Sequence, residues 1–174
     1  MSDSPQRPPM VRFRASPLNL RPGYGPPGTG EGDWDRVAAQ LTEARNYWIV
    51  TVRSGGRPHA APVWGVWLDG QVWFSTDAES VKGRNMTERP EVVVHLESGD
   101  EVAIVEGVAG PPRFDRFEAY RAEYRRKYEI EHPGWGDPDA AVYVVTPRRI
   151  LTWSEREFPA SGVAWTPVDT AVVD

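Results

Sequence analysis

The sequence predicts a mainly β protein with α, a six-stranded antiparallel barrel flanked by short helices, and three observations lead there. Apolar residues recur with period two in about six short runs, and Gly- or Asp-containing turns separate them. Only two or three segments carry helical spacing, so helices serve as covers for the openings of a small closed barrel. At 174 residues there is room for one core and hardly for two.

Taken in order, residues 1–32 hold seven prolines and five glycines with few apolar anchors, which predicts a flexible or loosely draped arm. Gly23-Tyr24-Gly25-Pro26-Pro27-Gly28 carries the letters of a dinucleotide fingerprint, but no strand precedes it and two prolines stand where a helix would begin. The barrel domain is placed at residues 33–160. Asp33 is the expected N-cap of a helix over Trp34–Ala44, with Trp34, Val37, Ala38 and Leu41 as its apolar stripe. Strands follow at Tyr47–Val52 and His59–Leu68, ended by Ser54-Gly55-Gly56 and Asp69-Gly70. Gln71–Thr76, Glu91–Glu97 and Glu101–Ala109 are the next three, and Ala141–Ser154, interrupted by Pro147, is the sixth. Ala78–Arg89 is polar and fits a couple of helical turns, while Phe114–Glu129 is the longest helix. There Phe117, Tyr120, Tyr124 and Tyr128 form an aromatic stripe, and Arg121, Arg125, Arg126 and Lys127 form a solvated basic face. A tail, 161–174, closes the chain.

Composition removes most chemistries. A net charge of -5 argues against a nucleic-acid binder and leaves only a local cluster to make an anion site. The absence of cysteine excludes thiolate metal sites, iron–sulfur clusters and a cysteine nucleophile, and fits a reducing cytoplasm. No apolar run approaches the roughly 18 residues of a membrane span, so no membrane partner is expected. There is no Gly-x-Ser-x-Gly elbow, phosphate loop or His-Glu-x-x-His helix, and His59, His95 and His132 lie one per segment, so no metal site is expected. Only Lys82 and Lys127 are lysine among 20 basic residues, a bias that suits a GC-rich genome.

The segment Trp73–Met86 leaves a strand through Ser75 and Thr76 and starts a helix with Ser80, Lys82, Arg84 and Asn85. Hydroxyls, helix-start N–H groups and cations converging from several directions are what a phosphate needs, and an ordinary capped helix with a solvated face accounts for the same letters. Trp64, Trp67, Trp73 and Trp153 stand either as core or as walls of an apolar pocket.

Three blocks in fixed order, Gly56–Trp64, Asp69–Thr76 and Lys82–Val92, together with Tyr143–Trp153, resemble the pyridoxamine 5′-phosphate oxidase-like split-barrel flavoproteins. The Pro-Val-Trp strand and the Lys-x-Arg-Asn helix start are most similar to the flavin/deazaflavin oxidoreductases that use coenzyme F420. The resemblance implies a split barrel and a homodimer with the cofactor in a groove between barrels. It implies that Ser75, Thr76, Ser80 and Lys82 hold the cofactor phosphate, supported by Arg84 and Asn85, and that Pro62, Val63 and Trp64 lie along the ring, mostly through backbone groups. Many relatives carry arginine where this chain has Ser80, which leaves Arg53, Arg57 or Arg89 as substitutes.

The expected function is hydride transfer between reduced F420 and a small organic substrate, with no catalytic side chain identified because the ring carries the hydride. F420 bears a polyglutamate tail, and Arg84, Arg89, Arg125, Arg126 and Lys127 are its candidate cations. FMN is the alternative cofactor, and a non-catalytic flavin or haem carrier, with His59 or His132 as axial ligand, is the competing class. Pyridoxamine phosphate oxidation is disfavoured because the tail 161–174 has no basic residue.

Overall fold

The computed structural model describes residues 11–168 apart from 22, 24, 27 and 132–139. It is mainly β with α, as the sequence predicts. The strands are β1 (Arg12–Pro17), β2 (Tyr47–Val52), β3 (Pro58–Val63), β4 (Gly65–Leu68), β5 (Gln71–Asp77), β6 (Glu91–His95), β7 (Glu101–Gly110), β8 (Ala140–Ser154) and β9 (Val163–Val168). The helices are α1 (Trp34–Glu43), α2 (Val81–Glu88) and α3 (Phe117–Tyr128). All pairings are antiparallel, and the hydrogen-bonded path runs β1-β9-β8-β7-β6-β2-β3 without closing, with the β4–β5 hairpin joined to β8. The barrel is therefore split rather than closed.

Among the described residues nine strands replace the expected six, for two local reasons. The run His59–Leu68 is two strands, because the chain turns at Trp64 between β3 and β4. Pro147 does not interrupt β8; it sits at a bulge, where the partners change from Glu106↔Arg149 to Gly107↔Pro147 and Arg148 is the extra residue. A Cβ on Gly107 would meet the Thr146 carbonyl at 2.5 Å, so the crossing at the bulge depends on glycine. The arm and the tail supply the remaining two, β1 and β9, paired with each other from Arg12↔Val168 to Pro17↔Val163. Part of the arm is thus sheet rather than a loose drape. Few apolar residues are needed, since Phe13, stacked on Trp34 at 4.2 Å beside Trp165 and Trp67, and Ala15 pack β1 against the barrel core.

Two cores lie on opposite faces of the sheet. Inside the barrel, Tyr47, Ile49, Val72, Phe74, Val94, Val105, Val145 and Ile150 pack with Val37 and Leu41 of α1. The Asp33 side chain caps α1 by accepting from the Arg36 N–H. Outside, α3 lays Tyr120, Tyr124 and Tyr128 over Val66, Trp73 and Val144. The hairpin turn beneath it is Asp69-Gly70, both at positive φ (53° and 79°), the conformation a two-residue hairpin requires. Arg116, just before α3, grips the Asp69 carboxylate bidentately at 2.6 and 2.9 Å and fixes where the helix begins. Phe114 lies in a single 3-10 turn ahead of α3 and is 94% exposed, so it is outside the aromatic stripe.

Phe13→Ala should cost about 2 kcal/mol in urea unfolding, less than the roughly 3–5 of a fully buried phenylalanine. Phe114→Ala should stay within about 0.5 kcal/mol of the parent. Equal, negligible effects would mean that β1 adds nothing to the fold.

Candidate functional site

The exit of β5 into α2 gathers the predicted phosphate residues. Side chains alternate along β5, so Val72 and Phe74 enter the barrel core while Trp73 faces α3. Ser75 shares the Trp73 face, and the Tyr120 hydroxyl hydrogen-bonds it there. Thr76 points to the opposite face, its Oγ1 3.4 Å from Ser80 Oγ. Ser80 caps α2 by accepting from the Gly83 N–H at 3.1 Å. A Cβ on Gly83 would lie 2.3 Å from the Ala78 carbonyl, so glycine lets α2 rest directly on the turn that feeds it. The result brings Thr76, Ser80 and half-buried Lys82 to one helix start, whose first N–H groups have no intrahelical acceptor. Ser75 is separated from them.

Asn85 and Arg84 do different work. Asn85 is buried and donates from Nδ2 to Thr51 Oγ1 at 2.9 Å, tying α2 to β2. The exposed Arg84 guanidinium reaches the Glu79 carbonyl, and Arg89 donates to the Ser54 carbonyl at 3.0 Å. Between α2 and the β2–β3 turn lies a cavity of about 390 Å³ lined by Arg53, Arg57, Arg84, Asn85 and Glu88 among others. Among the described residues, none of Arg53, Arg57, Arg84 and Arg89 forms an ion pair. Arg36, Arg113, Arg116, Arg121, Arg125, Arg126 and Arg148 all do. Arg53, Arg57 and Arg84 thus share a cavity along α2 with one carboxylate, Glu88, while Arg89 lies just past the C-terminal end of the helix.

The third part is the β3–β4 junction. Pro62 is exposed, Val63 is buried opposite Tyr47, and Trp64 is 40% exposed. β3 ends the sheet path, so the backbone groups on its outer edge have no strand partner. Gly65 is held from α3: its N–H donates to the Tyr128 hydroxyl at 2.8 Å, and Lys127 Nζ donates to its carbonyl at 3.0 Å. The Tyr128 proton serves the carbonyl of Gly65 (2.7 Å) or of Arg45 (2.8 Å). Lys127 also donates to the Tyr47 hydroxyl at 2.9 Å and sits 4.6 Å from that ring centroid.

Lys127 therefore departs from the solvated basic face expected for it and turns inward. Its spacing of three from Tyr124 and seven from Tyr120 puts it on the edge of the aromatic stripe, the signal that locates it. Arg125 and Arg126 do face solvent and pair with Glu131 and Glu123. Trp67 packs against the barrel core beside Trp34, Trp73 belongs to the α3 core, and half-buried Trp153 lies against Phe158. His59 is half-buried on β3, His95 Nδ1 lies 2.8 Å from the Leu96 carbonyl, and His132 is outside the described residues, as are Tyr24 and Pro27 of the glycine-rich stretch. Among the described residues no three His, Asp or Glu gather as metal ligands, and no helix is long and apolar enough to cross a membrane.

Elements α1 to β8 carry every part of this site, and the family model of pyridoxamine 5′-phosphate oxidase matches that stretch, residues 34–154. The chain belongs to that family. Solved structures share the family fold at low identity. A conserved hypothetical protein of Mycobacterium tuberculosis is 22% identical, with a TM-score of 0.62 over 72% of this chain and 87% of that one. A haem-binding protein of Mycobacterium smegmatis is 21% identical (TM-score 0.56), covering 70% of this chain and 54% of that one. An F420 reductase is 22% identical (TM-score 0.53), covering 64% of this chain and 93% of that one. No curated protein matches the chain.

Burial lowers Lys127 to about 8 from an ordinary 10.5, with Arg126 assisting and Glu123 opposing. Between those values the unfolded chain keeps a proton that the folded protein has released, so this residue makes stability rise with pH through that window. Lys127→Met should remove the rise, read as urea midpoints of parent and variant at about pH 7.5 and about pH 9.5. Parallel shifts in the two proteins would show that Lys127 keeps its ordinary proton affinity.

Proposed function

We propose that the chain is a homodimeric oxidoreductase that transfers hydride between reduced F420 and a small organic substrate in a reducing cytoplasm. The four arginines without carboxylate partners around α2 carry this reading. A flavin phosphate needs one or two cations, whereas a phosphate followed by a run of glutamates needs several along one path. The cations lie at Arg53, Arg57, Arg84 and Arg89, and not on α3, where Arg125 and Arg126 are already neutralised.

The residues present fit such a group. Thr76, Lys82 and the first N–H groups of α2 would hold the phosphate, with the Ser80 hydroxyl fixing the turn that presents them. Charge-assisted contacts of this kind contribute roughly 1.5–3 kcal/mol each. The unpaired edge of β3 offers backbone donors and acceptors to the rim of a flat ring, as the family resemblance implies for Pro62–Trp64. When bound, the deazaflavin supplies the hydride carrier; the protein's part is to bind it, exclude water and orient the substrate. A second copy would dock on the outward face of β2, β6 and β7, where half-buried Trp48, Val50, Val52, Val93 and Ile104 form an apolar surface.

The test is fluorescence titration with F420 and FMN in parallel, with the protein's mass followed by light scattering. F420 should bind at least tenfold more tightly than FMN, and Arg53→Gln with Arg57→Gln should weaken F420 at least tenfold while FMN stays within threefold. Lys82→Ala should weaken both cofactors at least tenfold, about 1.4 kcal/mol. Preference for FMN would move the protein to the flavin branch, and tight F420 binding without turnover by any acceptor would make it a carrier.

A further inference from the structure

The β3–β4 junction, whose backbone the cofactor reading uses, also carries a side-chain feature which that reading leaves free. The Trp64 indole stacks nearly parallel on Tyr128, with ring centroids 4.9 Å apart and planes 8° off. The Arg45 guanidinium carbon is 5.4 Å from the Trp64 centroid and 5.8 Å from that of Tyr128. Those three distances make a near-equilateral triangle, so the guanidinium stands at the edge of the stack and not on top of it. The Trp64 face turned from Tyr128 is not capped by Arg45, consistent with the 40% exposure of the residue. Among the described residues Arg45 has no carboxylate partner.

The platform is held rigid from behind. Tyr128 is buried, and its hydroxyl is fixed by Gly65 and by the Arg45 carbonyl, so one group sets the backbone on both sides of the indole. Lys127 adds a second tie to the Gly65 carbonyl. An aromatic face with fixed orientation and a cation at its rim is complementary to a planar ring bearing an anionic substituent: the ring stacks and the anion meets the guanidinium.

We propose that Trp64 and Arg45 form a binding site for a planar aromatic carboxylate, the substrate class of this protein. Its role as a substrate site rests on the oxidoreductase reading above; its existence as a binding site does not. The indole face takes the aromatic ring while the backbone of Pro62–Trp64 remains for the cofactor, so the two occupy adjoining places at the end of β3.

Calorimetric titration of the full chain with 2-naphthoate and with neutral 2-naphthamide tests this. The carboxylate should bind at least tenfold more tightly than the amide. Arg45→Gln, an exposed position whose replacement leaves the fold intact, should erase that difference, and Trp64→Leu should weaken both ligands at least fivefold. Where F420 binds, its saturation should leave 2-naphthoate affinity within threefold. No measurable binding of 2-naphthoate, no loss in Arg45→Gln, or displacement of 2-naphthoate by F420 would each overturn the assignment. A protein that takes the carboxylate as described but not F420 would keep this site and lose the cofactor reading.

Discussion

The arrangement around the candidate site depends on one residue without a side chain, Gly65. A Cβ there would stand 2.7 Å from the Trp73 carbonyl and 3.4 Å from the Tyr47 ring, so β4 can leave β3 at this angle only through glycine. The turn takes the backbone groups of Gly65 out of the β2–β3 ladder, and buried polar groups need partners. Tyr128 and Lys127 provide them from the last turn of α3, 62 and 63 residues along the chain. The Arg116–Asp69 pair holds the other end of the same helix to the other end of the same hairpin. Fastened at both ends, α3 keeps its tyrosines on Trp73 and leaves Trp64 standing out at the junction.

Charge is distributed with the same economy. The chain is acidic, and among the described residues seven arginines pair with neighbouring carboxylates, several at exposed positions where a pair is worth little. Among the arginines outside such pairs, Arg53, Arg57 and Arg84 line one cavity beside α2, and Arg45 stands beside Trp64. An unneutralised guanidinium cluster attracts anions over a distance of about a Debye length, which net charge does not reveal.

Much of this was legible from residue order. The Asp33 cap, the Asp69-Gly70 turn, and the strands Tyr47–Val52 and Gln71–Asp77 follow local rules of hydrogen bonding and backbone conformation. The hydroxyl–Lys order at the start of α2 was readable for the same reason. The separation of Ser75 from Thr76 was also implicit, since neighbours on a strand face opposite ways, but which face met α3 was not.

Sequence alone determined the three helices, the turns, the lack of thiol chemistry and the family blocks, because each rests on contacts within a few residues or on composition. Only the tertiary structure decided that the arm and tail pair as β1 and β9, that Arg53 and Arg57 join Arg84 around one cavity, and that Lys127 turns inward to Gly65. These are meetings of segments tens to more than a hundred residues apart, and their partners are chosen by packing, which no local pattern of letters specifies.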